Sequence, residues 1–516
     1  MSKVKSTTLL SILSFTVVMA LSGISEAGTL HVSKDGSMPY TTIQSALDAA
    51  AVGDTVIVHA GSYKEDTNIG HFGTSANPTP VKKDNVTLKA ADGETVEVVV
   101  QHKANRLLSW KTDYGIDLAD KDTAGLVING DNVVVDGLQI KNPSFDFNAL
   151  SLSFTVYVGS SNVTIKNCFI EGQSGAVFNP EAGPQPVHIG VLTFSSLPNQ
   201  RATNTVVDNC KVTNYLIGMS SLNFFRIPGH DPGVTWKNCE VYGNANGMFT
   251  LDGEFTIDGC YLHNNNLGIS LCDGTVNVTN CRIDNNPGNG ILVSEFGTDP
   301  EEPLHNPIAA IDNCLFTRNG GGGPKAYTPV EDVVIPNCGL LFSAGTLTLT
   351  NSIFLNNSGG GILVQPLLFG VSDPYLPPQS TVTKRNTNAV VDRCDFYQSI
   401  DDSVIATSQQ AKTVINFDLR NSILVGKTGL ANNVETGEDP NLTVNYCDVF
   451  AREAQFRGTI KQQANIVNVD PRYVDAVNGN FYLQSDSPVL TAGEGGTFLG
   501  SKGPWTSNVG FWTNYR

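Results

Sequence analysis

The chain has 516 residues and a formal charge of −17, from 32 Lys and Arg against 49 Asp and Glu. That balance, with no basic block anywhere, excludes a nucleic-acid surface built on clustered cations. Charged residues are only 16% and apolar ones 40%, with 50 glycines, so there is apolar material to fold and too little charge for an extended disordered chain.

Lys3 and Lys5, the apolar stretch Leu9 to Leu21 and the small residues of Ser25-Glu-Ala27 follow the order of an export signal, with cleavage expected after Ala27. The stretch is short for a membrane anchor, and no later run approaches the roughly 20 apolar residues of a spanning helix. The remaining chain, 28–516, is expected to be one domain without a membrane span, secreted, periplasmic or on the cell surface. Within Tyr40 to Ala50, the residues Ile43, Ala46, Leu47 and Ala50 share one helical face.

From residue 163 onward one pattern recurs: Val163-Thr-Ile-Lys-Asn-Cys168, Val234-Thr-Trp-Lys-Asn-Cys239, Phe255-Thr-Ile-Asp-Gly-Cys260, Val276-Asn-Val-Thr-Asn-Cys281 and Ala309-Ala-Ile-Asp-Asn-Cys314. Apolar and polar residues alternate, which is a strand, and an Asn- and Gly-rich turn leads to a second short strand such as Gly268 to Leu271 or Gly290 to Val293. Cys239, Cys260 and Cys281 are spaced 21 residues apart. A period in the twenties without intervening helices predicts a parallel β-solenoid. Cys210, Cys394 and Cys447 continue the register, and Ser352 and Ser422 occupy it elsewhere. Stacked coils then give a ladder of small inward thiols, because parallel Cβ vectors on neighbouring coils do not converge as a disulfide requires. Cys272 and Cys338 lie off the register and are the exceptions. Asn side chains at the turns are expected to hydrogen-bond from coil to coil.

With these segments the chain resembles a right-handed parallel β-helix protein of the pectin-lyase-like superfamily. The opening Gly28 to Gly36, Tyr40 to Ala50 and Gly53 to Val58 and the closing Asp470-Pro-Arg-Tyr-Val-Asp475, Asn478 to Leu483 and Ser487-Pro488 are similar to the ends of secreted bacterial β-helix proteins. The resemblance implies an all-β fold with an N-terminal capping helix and first coil over 28–65, coils with loop insertions over about 80–450, and a closing segment over about 465–516. It implies a polysaccharide partner along the lateral face and, if catalytic, a polysaccharide lyase or glycoside hydrolase. The rival reading is a non-enzymatic structural or adhesive surface protein.

Insertions are expected at about 104–125, 172–204, 295–308, 320–346 and 366–388, where such excursions carry binding or merely decorate. Their aromatics, including Trp110, Tyr114, Phe194, Tyr327 and Tyr375, suit either sugar stacking or packing. Asp401 and Asp402, in Cys394-Asp-Phe-Tyr-Gln-Ser-Ile-Asp-Asp-Ser403, resemble the paired catalytic aspartates of polygalacturonase-type hydrolases. The pattern departs from that family, with Gly359 and Gly360 where another aspartate belongs and no histidine in Gly426-Lys-Thr-Gly429. Aligning Cys394 with Cys281 sets Asp401, Asp402 and Ser403 over the turn residues Gly288, Asn289 and Gly290, positions that Asp also fills for conformational reasons. Arg226-Ile-Pro-Gly-His-Asp231 matches a pectate-lyase element only in part, with Asp231 where an arginine belongs. No metal site is assured. Asp299, Glu301 and Glu302, or Glu331 and Asp332, offer oxygen ligands for Ca²⁺, and solvated acidic loops are the plainer reading.

Overall fold

The computed structural model describes residues 27–71, 81–102, 123–143, 152–173, 187–195, 202–223, 233–295, 307–321, 337–365, 385–398, 403–409, 413–434 and 440–502. Its strands wind into a parallel β-helix whose coils contribute to three sheets. The first sheet runs from Thr29–Val32 and Thr55–Val58 through Thr164–Lys166, Glu254–Asp258 and Thr275–Thr279 to Thr413–Arg420 and beyond. The second includes Gly61–Lys64, Lys211–Thr213, Tyr261–His263, Arg282–Asp284 and Asp395–Tyr397. The third includes Thr123–Ile128, Leu152–Val158, Val187–Phe194, Leu267–Cys272, Ile291–Ser294 and Ser403–Gln409. The third-sheet strands Val187–Phe194 and Leu340–Phe342 fall inside stretches expected to be insertions, and Thr123–Ile128 begins at the end of another; lacking the Asn-Cys signature, they do not announce themselves in the sequence.

A single left-handed residue turns the first sheet into the second: Asn167, Asn209, Asn238, Asn280 and Asn313 all have φ between 50° and 55°. Asparagine tolerates this conformation because its short polar side chain bonds locally. The next residue is the register cysteine, which turns inward and joins the core. All ten cysteines are free and buried, including Cys272 and Cys338, so no exception exists. The eight register thiols each donate to the carbonyl two residues before them, and most also reach a carbonyl of the preceding coil, as Cys239 does to Lys237 at 3.2 Å and to Val207 at 3.5 Å. Burial pushes the Cys447 thiol up to about 12, so these groups stay protonated and unreactive.

The turn from second to third sheet holds an amide ladder, Asn244, Asn265, Asn286, Asn319 and Asn357, in which each Nδ2 donates to the next Oδ1 at 2.9–3.2 Å. In the third sheet a glycine column, Gly190, Gly218, Gly247, Gly268, Gly290 and Gly339, brings each Cα so close to the next coil's carbonyl that any Cβ would collide with it. Beside the amides, Phe316, Phe354 and Phe396 stack at 4.3 and 4.8 Å.

The helix Ile43–Ala49 buries Ile43, Ala46 and Leu47 against the first coil. Glu65 accepts from the Ile43 and Gln44 amides at one end, and Lys83 donates to the Leu47, Asp48 and Ala50 carbonyls at the other. The closing segment runs alongside the solenoid instead, laying Phe481, Val489 and Leu499 over Ile353 and Ile423 of the second sheet. Asp395 anchors it, accepting from Tyr473 Oη at 2.7 Å and the Ser501 amide at 2.7 Å.

Candidate functional site

The third sheet is buried on both faces. Val156, Val191, Met219 and Ile269 face the main core, whereas Phe154, Tyr157, Leu192, Phe194, Leu222 and Leu251 form a second apolar cluster on the other side. Phe194 is fully buried and lies 6.1 Å from the Tyr157 ring, so it packs the sheet and offers no platform for sugar. Both margins of this sheet are polar.

At the margin adjoining the second sheet, Asn142 links two histidines. Its Oδ1 lies 2.8 Å from His102 Nε2 and its Nδ2 2.9 Å from His188 Nε2, with Thr155 Oγ1 at 3.1 Å. Thr123 Oγ1 meets His102 Nδ1 at 2.8 Å, and Tyr215 donates to Thr155 Oγ1 at 2.9 Å. Burial holds His102 below its ordinary range and drives His188 down to about 3. Both imidazoles are therefore neutral hydrogen-bonding groups at neutral pH, suited to fixing the ends of third-sheet strands.

At the opposite margin the coil register stacks three acids. Leu251 pairs with Cys272, and Cys272 with Ser294, so the residues that follow, Asp252, Asp273 and Glu295, succeed one another from coil to coil. The Asp252 amide donates to Cys272 O and the Asp273 amide to Ser294 O. Their exposures are 8%, 0% and 4%. On one side of this column the amide of Asn223 donates to Leu251 O, and its fully buried side chain makes no hydrogen bond among the described residues. Cys272, 3.3 Å from Ser294 Oγ, is pushed up to about 11, chiefly by burial with an added contribution from the Asp273 carboxylate. Acids on adjacent coils, with strands about 4.8 Å apart, are close enough to divide acid and base roles on one glycosidic bond. Among the described residues no group of three His, Cys, Asp or Glu side chains is arranged to hold a metal ion.

This column was missed in the sequence, although Asp252-Gly253 and Asp273-Gly274 repeat at the coil period. Asp401 and Asp402 lie outside the described residues, as do Arg226 to Asp231, Asp299, Glu301, Glu302, Glu331, Asp332, Trp110, Tyr114, Tyr327 and Tyr375. Asp402 directly precedes the third-sheet strand Ser403–Gln409. There the turn alignment needs correcting by one residue: Ile405 pairs with Ile362, Ile362 with Leu340 and Leu340 with Ile291, so Val404, not Ser403, falls in the Gly290 column. The coil from Cys394 is one residue longer than that from Cys281.

A family model described as right handed beta helix region matches residues 199–365. The chain is a right-handed parallel β-helix protein. That is the fold its resemblance implied. A model described as a protein of unknown function, DUF1565, matches residues 28–221 of this β-helix. A search of the curated proteins gives no match. Among solved structures, the β-helix is similar to pectate lyase Pel9A at 11% identity, covering 93% of this chain and 96% of that one with a TM-score of 0.38. It is also similar to the catalytic unit of an alpha-1,3-glucanase from Streptomyces thermodiastaticus, at 14% identity, 85% and 70% coverage and a TM-score of 0.47. A third is the A-module of the mannuronan C-5 epimerase AlgE6 from Azotobacter vinelandii, at 14% identity, 83% and 94% coverage and a TM-score of 0.36. At such identities chemistry does not transfer. No helix among the described residues is long and apolar enough to cross a membrane.

Proposed function

We propose that this β-helix is exported and binds or processes polysaccharide along the lateral face formed by the third sheet. The observation that carries the reading is the column Asp252, Asp273 and Glu295, three nearly buried carboxylates on consecutive coils at one margin of that sheet. Burial of acids is expensive and is retained where they act. Asp401 and Asp402, which resemble the paired aspartates of polygalacturonase-type hydrolases, are a second candidate pair for the same chemistry. A glycoside hydrolase needs a carboxylate pair of this kind, whereas a lyase needs a base beside a charge-neutralised uronate, so Ca²⁺ is an added requirement to be tested. The reading of a non-enzymatic adhesive rod draws on the ion-paired outer face of the first sheet, where Lys166 meets Asp136 and Lys237 meets Asp208, each at 3.3 Å.

The test is a polysaccharide panel incubated with the protein from residue 28 onward, with and without Ca²⁺, scored for retention and for new chain ends. Retention and cleavage are expected, with Asp273→Asn lowering the rate by about 10² to 10⁴. Retention without new ends favours the adhesive rod, and no retention on any glycan sinks the polysaccharide reading.

A further inference from the structure

Asparagine has two recurrent uses in this chain. At the corners it takes the left-handed backbone, as at Asn238 and Asn280 with φ of 53° and 55°, and in the turn to the third sheet it bonds its own kind from coil to coil, as Asn265 does to Asn286. Asn223 serves neither use. It follows the third-sheet strand Ile217–Leu222 and is not among the left-handed residues. Its side chain is fully buried, and neither Oδ1 nor Nδ2 makes a hydrogen bond among the described residues. Other buried asparagines with one unpaired atom keep the second one bonded: Asn129 Nδ2 donates to His71 O at 2.6 Å, and Asn289 Oδ1 accepts from the Cys338 amide at 2.8 Å.

The main chain fixes where Asn223 stands. Its amide donates to Leu251 O at 3.1 Å, as the Asp252 amide does to Cys272 O, so Asn223 lies one coil from Asp252 in the line of the three acids. The preceding coil places Ser195 in that line, and Ser195 Oγ accepts from the Ala202 amide at 2.9 Å. A buried polar group left unpaired is unfavourable and calls for something that completes it. What completes Asn223 must both donate and accept, because Oδ1 needs a donor and Nδ2 an acceptor. Sugar hydroxyls do both. A carboxylate or sulfate only accepts and would leave Oδ1 unpaired, whereas a metal cation would meet Oδ1 and leave Nδ2.

We propose that Asn223 recognises the hydroxyl groups of an uncharged sugar unit bound beside Asp252. The inference rests on the polysaccharide reading and narrows it to a glycan that is neutral at this position, which favours a hydrolase over a lyase. Its test is the affinity of the full chain for neutral dextran, laminarin and xylan and for polygalacturonate, compared with Asn223→Leu and Asn223→Ser, with urea unfolding of each protein. The unaltered chain should bind a neutral glycan more tightly than polygalacturonate. Asn223→Leu should weaken that binding about tenfold, the loss of one net hydrogen bond, at an unfolding midpoint no lower than before, because the amide makes no bond that the fold would miss. Asn223→Ser, the residue of the preceding coil, should weaken it likewise and answers the question if the leucine variant does not fold. Preference for polygalacturonate, or a neutral glycan bound equally by all three proteins, overturns the assignment while retention itself leaves the polysaccharide reading standing. Lower midpoints in both variants at unchanged affinity also overturn it, assigning the amide to buried water. Binding of no glycan at all removes both readings.

Discussion

Two columns of stacked side chains, one in water and one in the dark, follow opposite rules. On the first sheet the outer position before the corner carries Lys166, Asp208, Lys237 and Asp258 on successive coils, alternating in sign. Inside the turn to the third sheet, Asn244, Asn265, Asn286, Asn319 and Asn357 repeat one residue without alternation. An amide both donates and accepts, so a column of identical amides satisfies itself. A column of identical charges does not, and must alternate or find partners. Buried acids are a third case. Asp252, Asp273 and Glu295 succeed one another out of water, and Asp395 sits beneath the closing segment, where Tyr473 and Ser501 donate to it.

The comparison breaks most visibly at Asn286. Leucine there removes the bonds to Leu262 O and Asn319 Oδ1 and orphans the Asn265 amide groups that donate to Asn286. Each buried group left unpaired costs about 1–3 kcal/mol, so Asn286→Leu should destabilise by roughly 4 kcal/mol in urea unfolding. A loss below about 1 kcal/mol would mean that the ladder is incidental.

Asp395 sharpens the contrast through pH. Burial pushes it up to about 6 and Asp448 up to about 7. Both folded-state values are raised above those of an unfolded chain, so the folded protein holds protons that the unfolded one has released. Stability from these groups is therefore greatest below about pH 4 and falls as pH rises through 6 and 7, by about 3 kcal/mol for Asp395. Unfolding midpoints measured across this range should decline, and Asp395→Asn should flatten the decline. An unchanged slope in the variant would remove Asp395 as its cause.

The smallest effect is expected on the outer ladder. Lys237 is 40% exposed and meets Asp208 at 3.3 Å, so Lys237→Gln should shift stability by less than about 0.5 kcal/mol. A shift of 2 kcal/mol would show that the charged column, and not only the amides, holds the coils in register.

The ladders are legible in the sequence because they repeat in one chain position: the cysteine register, the preceding Asn and the strand alternation all survive translation along the chain. The helix Ile43–Ala49 was equally plain from its apolar face. The sign alternation at Lys166, Asp208, Lys237 and Asp258 was there to be found, always two residues before the cysteine. The third sheet was harder, since its strands sit at variable distances from the register across inserted segments and its column of acids depends on a pairing that only the wound chain creates.

Where no insertion intervenes, the spacing of Cys239, Cys260 and Cys281 makes the coil a unit of fixed chain length, and each such unit repeats the same corner, the same thiol and the same amide. The molecule is in that sense a ruler with equal graduations: adding or deleting one such unit changes its length by a single strand spacing while every neighbour keeps its side of the sheet. Growth by duplication needs no new packing solution. The long insertions then become the points at which individual graduations acquired an identity of their own.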